Sequence, residues 1–181
     1  MSSQKWKVLS SQNLIKKGFF KLRVDKCELP DKRIMPNYYI FEFSDWVNIV
    51  PITKENKVIL IKQYRHAGGD YYFEVPGGTT HPSQNEDPLQ AAKRELFEET
   101  GYQAKKWKYM GYHFPNPALQ SNKMHTYLAL DCELKGGQQL DEFEDIEVVL
   151  FEKKQVRDML IGGQIEHSLI AASLVRCFDA L

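Results

Sequence analysis

Hydrophobic residues in the first third of the chain fall in short runs and loose alternations, not at helical spacing. "FFKLRVDKCEL" (19–29) alternates and is rich in strand formers; after the turn-like "DKRIMPN" (31–37), "YYIFEF" (38–43) returns as its partner strand. "VNIVPI" (47–52) and "VILIKQY" (58–64) are apolar runs separated by the polar "TKENK", which reads as a buried hairpin. "YYFEV" (71–75) is a further short strand, closed by Pro76-Gly77-Gly78. The period then changes. Leu89, Ala92, Leu96 and Thr100 share one stripe at 100° per residue, predicting a helix over 88–100. Asp87 is placed as its N-cap, Pro88 suits the first helical position, Gln90 completes a capping-box-like pattern, and Gly101 sits where a left-handed terminator is wanted. "WKYMGYHF" (107–114), "MHTYLALDCEL" (124–134) and "IEVVLF" (146–151) read as strands, and helical patterns over 153–160 and 165–179 finish the chain. A sheet with interposed helices and mixed connections predicts an α+β fold or α/β/α sandwich, not a regular βαβ array.

The helix over 88–100 carries an electrostatic oddity. Glu95, Glu98 and Glu99 crowd into five residues, and like charges at such spacing repel. A solvated face would intersperse lysine at i+4. Instead Glu95 and Glu99 lie one turn apart beside the buried stripe, Glu98 lies further round on the same side, and small Ala91 leaves room there. Clustered carboxylate oxygens at the edge of a core are what a hard divalent cation requires. Mg²⁺ in particular takes one or two carboxylates and keeps water and substrate phosphate in its other positions. Its charge also holds these carboxylates ionised against their mutual repulsion. Arg94 is within reach of Glu98 or Glu86.

Composition narrows the class. A chain of 181 residues supports one sizeable domain with a small appendage, and its formal net charge of zero argues against a nucleic-acid binder working by bulk electrostatics. The three cysteines, Cys27, Cys132 and Cys177, are far apart and form no CxxC pair, so neither a zinc site nor a disulfide framework is expected, and a reducing compartment is. The start "MSSQKWKVLS" has no apolar core of a leader and no run approaches a membrane span; the expectation is a cytoplasmic protein without a membrane partner.

Glu86, seven residues, then Arg94-Glu95-Leu96-Phe97-Glu98-Glu99-Thr100-Gly101-Tyr102 closely resembles the Nudix box: a glycine, five residues, a glutamate, seven residues, then R-E-U-x-E-E-x-G-U with U apolar. One position departs. Thr80 stands where the box has its glycine, and Gly78 lies eight before Glu86, which reads as a two-residue insertion in the loop "TTHPSQN". "GFFKLRVDKCEL", "VILIKQYR", "YYFEVPGG" and "LDEFEDIEVV" extend the resemblance over nearly the whole chain, to the ADP-ribose pyrophosphatase branch. Pro117 matches a proline of that branch, whereas "ALQSNKMH" replaces its usual glycine-rich, glutamate-containing stretch.

The resemblance implies a Nudix-type α/β/α sandwich with a mixed sheet and an N-terminal antiparallel β extension. Residues 1–43 would form that extension, serving a homodimer and the substrate pocket, and 44–181 the hydrolase domain. It implies metal-dependent cleavage of the diphosphate in nucleoside diphosphate sugars such as ADP-ribose, giving a nucleoside monophosphate and a sugar phosphate, with Mg²⁺ as cofactor and Mn²⁺ as the alternative. Carried over residue by residue, Gly77 (through its carbonyl), Glu95, Glu98 and Glu99 are the metal set. Arg65 and Glu74 are the substrate set, to which Trp46 is added from its place near a probable strand end. Arg65 is a phosphate contact or an exposed strand-end arginine, Glu74 contacts substrate or holds Arg65, and Trp46, with Phe43 nearby, stacks on a base or packs in the core. Arg94, Glu98 and Glu142 are the catalytic set, with Arg94 paired to Glu86. Glu142, in the acidic loop "GGQQLDEFEDIEVV" (136–149), matches the family's general base; Glu144 is the reserve, with a solvated loop as the plain reading of Glu144 and Asp145. His66, His81, His113 and His125 are dispersed and read as structural or loop residues rather than metal ligands. The competing class is a catalytically silent Nudix-fold binding module; an RNA-directed activity lacks an evident basic patch.

Overall fold

The computed structural model describes residues 4–81, 83 and 86–181, and the chain parts into two compact units: residues 1–44 with 114–123, and residues 45–113 with 124–181.

The N-terminal unit is an antiparallel meander of β1 (Lys7–Lys17), β2 (Phe20–Glu28) and β3 (Ile34–Glu42). Sequence pattern alone did not mark β1, because "KVLSSQNLIKK" has no alternation; pairing with β2 along nearly its whole length makes it a strand, and all of it is exposed. β3 begins at Ile34, inside the stretch read as a turn. The turn propensity of Pro36 and Asn37 yields to pairing with β2, eased by a register shift between Asp25 and Cys27. The free edge of β3 is covered by residues from 114–123. Phe41 N–H donates to Leu119 O (2.8 Å), Tyr38 Oη donates to Ala118 O (2.8 Å), and Phe41 bridges Gln120. Phe43 packs with Phe20 and Phe41. A cavity of about 330 Å³ in this unit is lined by Trp6, Val8, Arg23, Asp25, Cys27, Tyr38 and Ile40.

The second unit is built on a mixed sheet. Its central order is β11 (Ile146–Glu152), β5 (Lys57–Arg65), β4 (Trp46–Thr53), β10 (Met124–Leu134), β8 (Tyr102–Gln103). β6 (Asp70–Glu74) pairs with β5, β7 (Gly77–Thr79) with β4, and β9 (Lys106–His113) with β10. β4 and β10 are parallel and the other pairs antiparallel. The continuous apolar run of β4 is explained by helices on both faces. On one face α1 (Pro88–Thr100) sets Ala91, Ala92 and Leu96 against Val47, Ile49, Ile59 and Ala129. On the other, α2 (Lys153–Ile161) and α3 (Ser168–Arg176) set Val156, Met159, Ile170 and Leu174 against Val50, Val58, Leu60 and Leu128. This is an α/β/α sandwich of the α+β class.

Three local expectations need correction. Gly77-Gly78 is not a closing turn but strand β7, with Gly77 opposite Asn48 and Gly78 opposite Val47. A Cβ on Gly77 would overlap Val47 O, so glycine is required for this close pairing. Asp87 caps α1 as expected, accepting from Leu89 N–H and Gln90 N–H at 2.8 and 3.0 Å, but Gln90 is exposed and makes no reciprocal bond. The last helix starts after His167 rather than at 165 and ends at Arg176, tightening into a 3₁₀ turn over Phe178–Ala180.

Candidate active site

Helix α1 organises the site around Arg94. Because Glu86 precedes the N-cap and Arg94 follows two turns later, the guanidinium lies back along the helix. Its Nε donates to Glu86 Oε1 (2.9 Å) and its Nη2 to Glu86 Oε2 (3.2 Å) and Thr79 O (3.1 Å). Nη1 bridges Glu95 Oε1 and Glu98 Oε2, both at 2.9 Å. Burial works against this cation, but Glu86, Glu95 and Glu98 outweigh it and hold Arg94 protonated. Hydrogen bonding from Arg94, then from His81 N–H (3.0 Å), holds Glu86 below the ordinary carboxylate range. Of the loop insertion, Pro82, Gln84 and Asn85 lie outside the described residues; Thr80, in place of the box glycine, donates to Asp45 O through both its N–H and its hydroxyl.

Glu95 and Glu99 are less well compensated. Burial, reinforced by the charges of Glu98 and Glu144, pushes Glu95 up to about 7 despite Arg94. Burial raises Glu99 well above its ordinary value, with Glu95 and Glu144 adding to the effect and the bond from Gly77 N–H (2.8 Å) opposing it. Gly78 is the neighbour that permits this packing, since a Cβ there would overlap the Glu95 carboxylate. Among the described residues, Glu95 Oε2 and Glu99 Oε1 accept no hydrogen bond. Also among them, no three Asp, Glu, His or Cys side chains converge as a finished metal cage. The fit to a hard cation rests on donor chemistry: a buried carboxylate at Glu99 and a half-buried one at Glu95, each with a free oxygen, whose ionised forms want a positive charge.

Arg65, the last residue of β5, and Glu74, the last of β6 and opposite Ile61, join through their side chains in a two-point ion pair, with Nε to Oε1 at 2.8 Å and Nη2 to Oε2 at 2.7 Å. Glu74 is 2% exposed. Burial opposes its charge, yet Arg65 and then His167 outweigh burial and bring it down to about 2. His167 Nδ1 lies 3.4 Å from Glu74 Oε1, an ion-pair distance without hydrogen-bond alignment. The guanidinium of Arg65 remains partly exposed beside Glu99 and Glu144, whose charges it feels. Trp46 opens β4, opposite Thr79 of β7.

The acidic loop separates its two candidates. Glu144 is half-buried, its N–H donates to Asp141 O (3.0 Å) and its Oε2 accepts from Asp141 N–H (3.0 Å). Its charge acts on Glu95, Glu99 and Arg65. Glu142 is exposed, and its charge is not among the chief influences on any of the three. The loop is tied to α1 by Gln139 N–H to Glu98 O (2.7 Å) and by Gln138 Nε2, which donates to Glu99 O (2.7 Å) and Ile146 O (3.0 Å).

The structure thus gathers Glu86, Arg94, Glu95 and Glu98 in one network, joins Glu99 to Gly77 and Arg65 to Glu74, and sets Phe43 in an aromatic cluster of the N-terminal unit. His125 is structural, held between Tyr109 Oη (2.9 Å) and Asp45 Oδ2 (3.2 Å). Sequence reasoning missed His167 and Gln138. Neither sits in a motif; the helix start after "GGQIEH" was the one available signal for His167.

Residues 44–170 match the NUDIX domain, and residues 6–41 match the nucleoside diphosphate sugar hydrolase N-terminal domain. The chain belongs to the Nudix family. It is 31% identical over 153 residues to the methanol dehydrogenase activator of Bacillus methanolicus, covering 82% of this chain and 81% of that one. It is 28% identical to the ADP-ribose pyrophosphatase of Bacillus subtilis (strain 168), covering 96% and 98%. A crystal structure of an ADP compounds hydrolase shares the fold, with TM-score 0.84 at 23% identity over 99% of this chain and 95% of that one.

Proposed function

We propose that this protein is a divalent-cation-dependent hydrolase of nucleoside diphosphate sugars, ADP-ribose among them, releasing a nucleoside monophosphate and a sugar phosphate. The observation that carries this reading is the Glu95–Glu99 pair on one helix turn, the first bonded through Oε1 to Arg94 and the second through Oε2 to Gly77 N–H, with burial raising both. The full-length likeness to a bacterial ADP-ribose pyrophosphatase supports the substrate class.

Glu95, Glu99 and the Gly77 carbonyl would hold Mg²⁺ or Mn²⁺, with Glu98 completing the set. The cation supplies charge neutralisation for the diphosphate and acidifies bound water. Arg94 keeps Glu86, Glu95 and Glu98 in place. Arg65, preset by Glu74, binds a phosphate oxygen, and Trp46 stacks on the base. A water oxygen attacks one phosphorus, the bond from that phosphorus to the bridging oxygen breaks, and the water proton passes to a carboxylate of the acidic loop. We assign that carboxylate to Glu144, two residues along from the family-matched Glu142, because its charge is the one felt by Glu95, Glu99 and Arg65.

A substrate panel tests the reading. ADP-ribose, ADP-glucose, GDP-mannose and UDP-sugars are incubated with Mg²⁺ or Mn²⁺, products are identified directly, and phosphate freed by added phosphatase reports the rate. Turnover of at least one, abolished by EDTA, is expected. Binding without turnover across the panel would instead show a silent nucleotide-binding module.

The N-terminal sheet is proposed to pair with a second copy of the chain. Val8, Leu9, Leu14, Ile15 and Phe19 are all exposed along β1 and its turn, apolar side chains that a second copy would cover. Sedimentation at micromolar concentration should show a dimer; a monomer alone overturns this. The three buried free cysteines suit a reducing cytoplasm.

A further inference from the structure

We infer that Gln138 is a positioning residue for the reaction, locking the acidic loop onto the last turn of α1 and so holding Glu144 toward the Glu95–Glu99 pair. This rests on Glu144 acting as described above.

The last carbonyls of a helix have no partner within it and must find donors elsewhere. In α1 the loop supplies them. Lys135 N–H and Gly136 N–H donate to Gly101 O at 2.9 and 3.2 Å, and Gln139 N–H donates to Glu98 O at 2.7 Å. Gln138 adds the only side chain of the set. One hydrogen of its carboxamide goes to Glu99 O (2.7 Å), the other to Ile146 O (3.0 Å), the first residue of β11. A single group therefore ties the departing end of the loop, its returning end and the backbone of Glu99. Between these ends the loop has little else. Its turn is closed by Asp141 and Glu144 on each other, Phe143 is 92% exposed, and among the described residues 140–145 make no further hydrogen bond. Such a span is at the low-stability end of a structure unless its base is clamped. The chemistry also requires glutamine: leucine of similar bulk lacks the donors, and glutamate of the same shape would aim a carboxylate at two carbonyl oxygens.

Three measurements on full-length Gln138→Leu and Gln138→Glu test this. First, amide hydrogen exchange without substrate or metal should speed up at 139–146 by roughly 10-fold or more while exchange in α1 and β4 stays as in wild type. Second, kcat should fall on the order of 10- to 100-fold, the cost of ångström-scale misplacement, with KM and Mg²⁺ affinity close to wild type. Third, adding Gln138→Leu to Glu144→Gln should cause no further loss of kcat. Unchanged loop exchange overturns the inference, as does a double variant in which the two losses multiply. If Glu144→Gln alone keeps wild-type kcat, the assignment of Glu144 fails and Gln138 has no base to position, while exchange still decides whether it clamps the loop.

Discussion

Glutamine in place of Glu144 is expected to lower kcat by about 10²–10⁴-fold, the usual contribution of a general base, while KM and metal affinity stay close to wild type. Glu142→Gln should leave kcat nearly unchanged. The contrast follows from geometry. Both residues sit in one acidic loop, but Glu144 is half-buried, is bonded to Asp141 through its N–H and its carboxylate, and is felt by Glu95, Glu99 and Arg65, whereas Glu142 is exposed. Parallel steady-state kinetics on the two variants check this. A large loss in Glu142→Gln with normal kcat in Glu144→Gln would return the role to the family-matched position.

Glutamine at position 95 or 99 is expected to stabilise the metal-free protein and to remove most turnover. Burial, then the charges of Glu98 and Glu144, raise Glu95 from the ordinary 4.5 to about 7 in the folded chain. An acid with a raised folded pKa binds more protons folded than unfolded between those values. Metal-free stability therefore falls as pH rises from about 4.5 to about 7 and levels off above. At 1.36 kcal/mol per pKa unit this amounts to roughly 3 kcal/mol for Glu95. A bound cation reverses the effect, since it prefers the ionised carboxylates. Thermal melts in EDTA and in Mg²⁺ at pH 5 and pH 8 measure this directly. Wild type should gain far more from Mg²⁺ at pH 8 than at pH 5. Glu95→Gln and Glu99→Gln should melt higher than wild type in EDTA at pH 8 and lose the Mg²⁺ increment. Equal Mg²⁺ increments in wild type and both variants would rule these two carboxylates out as the cation's ligands.

How much of this was legible in the residues depends on the range of the interactions involved. Helix α1 was readable end to end, because its cap, stripe and terminator are local: Asp87 bonds to amides two and three residues away, and Gly101 (φ 73°) donates back to Phe97 O. The Glu86–Arg94 pair was readable for the same reason, since Glu86 sits directly before the N-cap and Arg94 two turns along the helix. Strand β1 was not, because its sequence has no face to bury. Strand β7 was not either: three residues containing two glycines look like a turn until β4 lies beside them.

The amino-acid sequence by itself determined the class of fold, the box helix and which carboxylates crowd together, since these depend on periodicity and on contacts within about two turns. The tertiary structure decided which of those carboxylates lack compensation, which acidic loop residue acts on them and what ties that loop down. Glu144 lies 45 positions beyond Glu99 in the chain, and no local pattern encodes their proximity. Burial by β4 and β7, and the glutamine clamp between α1 and β11, are long-range facts. The first of them raises Glu95 and Glu99 by removing water that no sequence pattern reports.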